Sequence, residues 1–163
     1  MKRRSDTRAA TSLRDLTFFT DRDLGKAVPR ILREHGYQVE WYFDHFAEGE
    51  RVEDNRWLEF AIRNDWIAIS HDDNIRRDVE AVRTVMENHG RLFILRGALG
   101  GRDLASVFLE ATPSVTKLVL DPELARGFIA NVRRTTGAGG VVKSAAYLML
   151  AHEDWKTGQG QKR

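Results

Sequence analysis

The 163-residue chain contains no cysteine. That absence removes disulfides, thiolate nucleophiles and cysteine-ligated zinc from consideration, and it fits a reducing cytoplasm. Proline is scarce, and each of the three marks a helix start or a break: Pro29, Pro113 and Pro122. No run approaches the roughly 18 apolar residues that a membrane span requires, so no membrane association is expected. Charge of one sign is also scarce, since 26 Lys and Arg against 24 Asp and Glu leave a net +2. Such mild basicity permits nucleic-acid binding without arguing for it. The basic stretch Met1 to Arg14 has no apolar segment behind it and predicts no secretory signal.

What remains is an ordinary globular composition, with 42% hydrophobic and 31% charged residues, enough apolar side chains for one core. The pattern predicts a basic N-terminal tail over 1–15, one domain over 16–150 and a polar C-terminal tail over 151–163. Leu16 to Thr20 reads as a first strand. Leu24, Val28, Ile31, Leu32 and His35 then recur at helical spacing, and Gly36 closes that helix. Tyr37 to Phe43 alternates as a second strand, and Asp44 to Val52 reads as a loop. A helix over 55–64 leads into the apolar strand Ile67 to Ser70. Ile75, Val79, Val82 and Met86 mark the next helix, and Leu92 to Leu95 another strand. A helix from about Asp103 stops at Pro113, and periodicity leaves Val115 to Leu120 open between helix and strand. Phe128 to Val132 and Val141-Val142 flank a glycine-rich turn and predict a hairpin. Ser144 to Leu150 reads as one more short helix. Strands alternating with helices imply a mostly parallel sheet between helix layers, a three-layer α/β/α sandwich.

Asp21 follows the first strand, Asp72 the third, and Asp54 opens the helix that leads into the third. Ligands of open α/β sheets sit at the carboxyl ends of strands. Three carboxylates converging there repel one another unless a cation neutralises them or one is protonated. All-oxygen ligation suits Mg²⁺ or Mn²⁺. Each aspartate is also a good helix cap, worth about 1 kcal/mol with no further role. Asp23 and Asp73 are further candidates, Asp73 as a second ligand or a solvated charge, and Asp44 reads as an ordinary loop acid. Arg76 and Arg77 follow the acidic step, where they are positioned to hold a phosphate backbone or to lie on a solvated helix face. His45 and His71 read as loop histidines beside the site.

Phe18-Phe19-Thr20-Asp21-Arg22-Asp23-Leu24-Gly25, Asp54-Asn55-Arg56-Trp57-Leu58 and Trp66 to Arg77 together resemble the PIN-like ribonucleases, nearest to the VapC-type toxin subgroup. The resemblance runs from Leu16 to Val142. It implies a PIN-like fold and RNA hydrolysis with Mg²⁺ or Mn²⁺ held by Asp21, Asp54 and Asp72, with Asp73 as an added ligand. It also implies RNA as substrate and a protein antitoxin as partner, and it is compatible with a homodimer. Two positions depart from the pattern: His71 stands where Arg is usual, and Asn74 where a further acid is common. A second reading takes Asp21-Arg22-Asp23 as the D-x-D of a haloacid-dehalogenase-type phosphohydrolase. A third takes the acids as caps on a non-catalytic RNA- or partner-binding module.

Overall fold

The structure, a computed structural model, describes residues 12–97 and 99–161. The strands are β1 (Thr17–Thr20), β2 (Gln38–Trp41), β3 (Ile67–Ser70), β4 (Arg91–Leu95), β5 (Phe128–Thr136) and β6 (Val142–Ala151). The helices are α1 (Ala27–Glu34), α2 (Asp54–Arg63), α3 (Val79–Glu87), α4 (Gly101–Glu110), α5 (Thr112–Leu120) and α6 (His152–Gln161). They build a six-stranded sheet in the order β2-β1-β3-β4-β5-β6. Its first five strands run parallel, and β6 returns antiparallel to β5.

Alternation along the strands sends apolar side chains into two layers. Phe18, Ile67, Ile69, Phe93, Leu95 and Phe128 meet Val28 and Leu32 of α1, Leu104 and Phe108 of α4, and Val115 of α5. Phe19, Ala68, Leu92, Ile94 and Ile129 meet Trp57, Leu58 and Ala61 of α2 with Ala81, Val85 and Met86 of α3. Every residue of β3 and β4 is buried, as expected for strands covered on both faces. The expected three-layer sandwich with a C-terminal hairpin is what forms.

Several local expectations change. β2 stops at Trp41, because Tyr42–Asp44 winds into a 3₁₀ turn closed by the Asp44 carboxylate on the Trp41 amide. The helix expected from Ile75 is two pieces, a 3₁₀ turn over Asp73–Arg77 and then α3, capped by Asp78 on the amides of Glu80 and Ala81. Val115 to Leu120 is helical, with Pro113 in the first turn of α5, where its missing amide costs nothing. Ser144 to Leu150 is not a helix but part of β6, paired with β5 along its length. Its Ala, Leu and Met favour a helix locally, and the free edge of β5 overrides that preference. Residues 152–161, expected within a polar tail, form α6. Most of the basic N-terminal tail lies outside the described residues. Its last part is docked, with the Arg14 guanidinium 4.7 Å from the centre of the Tyr37 ring.

Candidate active site

β1 and β3 are neighbours in register, with Thr20 beside Ile69, so the residues that follow them emerge together. The Asp21 amide continues the ladder, donating to the Ile69 carbonyl at 3.0 Å. Asp21 is only 3% exposed. A short 3₁₀ turn over Arg22–Leu24 follows and swings Asp23 back toward β3.

Ser70, wholly buried at the end of β3, is the hub. Its hydroxyl donates to Asp21 Oδ2 at 3.0 Å, lies 3.5 Å from Asp23 Oδ2, and accepts from the Asp72 amide at 3.1 Å. Asp23 Oδ1 receives the His71 amide at 3.4 Å. Asp72 caps the next turn through the Asn74 amide at 2.9 Å. His71 Nε2 meets the Gly97 carbonyl at 2.7 Å and ties this edge to the loop after β4. The structure therefore gathers the carboxyls of Asp21 and Asp23 and the backbone of Asp72 around one hydroxyl.

The electrostatics follow from burial. Loss of water raises the Asp21 carboxyl well above its ordinary value, the neighbouring Asp23 raises it further, and the Arg22 amide and Ser70 hydroxyl pull back. Asp23 is an exposed residue, and its carboxyl, held near Ser70 and the His71 amide, is also raised, first by desolvation. Among the described residues, none of Asp21, Asp23 and Asp72 pairs with a Lys or Arg. Clustered carboxyl oxygens without a cationic side chain are the donor chemistry of a hard divalent cation. No group of three or more His, Cys, Asp or Glu among the described residues is arranged to hold an ion as it stands.

The other candidates are placed differently. Asp54 opens α2 but does not cap it; Glu53 holds the cap position. Its Oδ1 accepts from the Trp57 indole at 3.0 Å, and no hydrogen bond links it to the Ser70 group. Trp57 in turn stacks on Phe19, two residues before Asp21, with ring centres 5.7 Å apart. Asp73 turns away from the cluster. One oxygen lies 2.9 Å from Arg76 Nε and the other 3.5 Å from Arg96 Nη2. Arg76 is thus partly spent on Asp73, while Arg77 is exposed and forms no ion pair among the described residues. Asp44 is an ordinary loop acid, 3.0 Å from Arg33, and His45 meets Glu40 at 2.8 Å.

A family model described as a PIN like domain matches residues 16–97. The chain belongs to the PIN-like family. That stretch contains all four acids expected to bind metal and ends at Gly97, so the β5–β6 part of this PIN-like chain lies beyond it. The chain is also 29% identical over 108 residues to a protein of Mycobacterium tuberculosis named "Putative ribonuclease VapC45", covering 64% of this chain and 78% of that one. No solved structure matches it significantly. Sequence reading of the PIN-like segment held Asp23 as a less certain candidate and passed over Ser70. The signal for Asp23 was its place two residues after Asp21. A serine ending an apolar strand carries no comparable signal until its neighbour is known.

Proposed function

We propose that this protein is a metal-dependent endoribonuclease, the toxin half of a toxin–antitoxin pair, acting on RNA in the cytoplasm. The observation that carries the reading is the meeting of the Asp21 and Asp23 carboxyls at Ser70, which also holds the backbone of Asp72, at the strand ends of a PIN-like sheet. The name of the mycobacterial relative supports the ribonuclease class.

Asp21, Asp72 and Asp54 are the proposed ligands for Mg²⁺ or Mn²⁺, with Asp23 joining them and Asp73 the weakest member because two arginines already engage it. When bound, such an ion neutralises the carboxylates and activates a water for attack on phosphorus. Ser70 fixes the Asp21 carboxylate from behind and holds the Asp72 backbone at the same point. Burial of Asp21 excludes competing water from that side of the site. Arg76 and Arg77 lie one turn beyond and are the proposed phosphate contacts.

The test is cleavage of single-stranded RNA by purified protein with Mn²⁺ or Mg²⁺. Asp72→Asn should lower the rate by at least about a hundredfold, more than about 2.7 kcal/mol of barrier, with unchanged melting behaviour. Wild-type activity in Asp72→Asn would remove it from the mechanism. Relief of growth arrest by a small neighbouring protein, co-purifying with this chain, would support the toxin assignment.

A further inference from the structure

The β5–β6 hairpin reaches past the rest of the sheet at the edge that holds the acids. β4 pairs with β5 only as far as Leu95 beside Val132, whereas β5 and β6 stay paired to Thr136 beside Val142. Four further residues of β5 make a two-stranded ribbon about 13 Å long at about 3.3 Å per residue. Its register sorts the side chains. Asn131 faces Tyr147, Arg133 faces Ala145, and Thr135 faces Lys143, all on one side. Arg134 and Ser144 lie on the other side, where Ser144 donates to Glu110.

The first side is basic and aromatic. Arg133 lies over the Tyr147 ring with its guanidinium 4.4 Å from the ring centre. The Tyr147 hydroxyl is 3.2 Å from Thr135 Oγ1, which fixes the ring. Arg133 and Lys143 are exposed, and neither forms an ion pair among the described residues. From Leu124 to His152 the sequence has no Asp or Glu at all. Alternation places Arg96, which follows Leu95, on this same side, and its amide donates to the Val132 carbonyl at 2.8 Å. Arg96 also reaches Asp73, the neighbour of Asp72. Arg96, Arg133 and Lys143 therefore share one side of the sheet, from the neighbour of Asp72 out onto the ribbon.

We propose that this side of the ribbon, formed by Arg133, Lys143 and Tyr147 and continued by Arg96, is a docking track for single-stranded RNA, which it guides to the acids. The direction of the track rests on the nuclease reading above; binding to it does not. Arg133 and Lys143, which form no ion pair among the described residues, supply the attraction for phosphates. An arginine laid on a tyrosine presents its free face for stacking an unpaired base. A ribbon free of acids repels an acidic protein segment no more than it repels RNA, but the stacked Arg133–Tyr147 pair is suited to a planar base.

The experiment measures anisotropy of a labelled single-stranded RNA of mixed sequence against the full chain, in chelator, over a series of salt concentrations. Arg133→Ala with Lys143→Ala should weaken binding about tenfold or more and lower the salt slope by about 1.4, at about 0.7 per phosphate contact. Arg134→Ala, the loss of one cation on the opposite side, should leave the salt slope close to wild type, where Arg133→Ala alone lowers it by about 0.7. Tyr147→Leu should weaken binding about tenfold, and Tyr147→Phe should retain it. Thermal melting checks that these surface variants fold. Equal losses for Arg134→Ala and Arg133→Ala, unchanged affinity in the double variant, or ribbon-dependent binding of an acidic peptide with no RNA affinity would each overturn the track. Ribbon-dependent RNA binding by a wild-type protein that never cleaves would uphold the track and remove the nuclease reading instead.

Discussion

Asp21 is a carboxylate kept out of water beside a second carboxylate, and that sets its behaviour with pH. Its folded value lies above the ordinary one, so between the two values the folded state binds more protons than the unfolded chain. Stability contributed by this group therefore falls as pH rises through that window. In chelator, the gap in melting temperature between Asp21→Asn and wild type should widen as pH rises above the ordinary carboxylate range. The variant should be the more stable, at about 2–4 °C for each kcal/mol relieved in a chain of this size. A wild type more stable at neutral pH than Asp21→Asn would mean that Asp21 is already neutralised by another group. Ser70→Ala deletes the donor to Asp21 and leaves the Asp72 amide without its acceptor. It should cost about 1–3 kcal/mol in thermal or denaturant unfolding and depress RNA cleavage as well.

At the scale of elements, the turn before β5 shows how tightly the sheet constrains its connections. Gly127 has φ +117°, and a Cβ there would stand 2.8 Å from the Gly90 carbonyl oxygen. That oxygen accepts the Phe128 amide, so it cannot retreat without breaking the junction of β4 and β5. Gly127→Ala should lower stability by about 2 kcal/mol or more, read as a fall in melting temperature of several degrees. Element boundaries were legible where one signal dominated, as in the apolar run Ile67 to Ser70 or the helical spacing of Val28 and Leu32. They were not legible where neighbours decide. Ser144 to Leu150 pairs with β5 because an open edge lay beside it. The start of the helix after β3 moved to Val79 because Asp78 offered a cap and Asp72 closed an earlier turn.

For the whole molecule, the arrangement links charge balance to activity. A divalent cation that binds only the folded form adds about 2.7 kcal/mol at a concentration a hundredfold above its dissociation constant. Mn²⁺ should therefore raise the melting temperature of wild type, and Asp21→Asn should lose most of that rise. A shift of equal size in both would locate the ion elsewhere. The same preparation with Mn²⁺ should cleave RNA, which separates a nuclease from a module that only binds.

Sequence alone determined the alternation of strands and helices, and with it the layered parallel sheet, because apolar periodicity is a local property of the chain. It also marked Asp21, Asp54 and Asp72, since acids that close strands or open helices can be counted without coordinates. Only the tertiary structure decided which of these acids meet. Pairing of β1 with β3 set Ser70 beside Asp21, drew Asp23 in and left Asp73 to Arg76 and Arg96. The contacts of Ser70 with Asp21 and Asp23 join segments about fifty residues apart, and strand order, which no local pattern encodes, is what brings them within a hydrogen bond of each other.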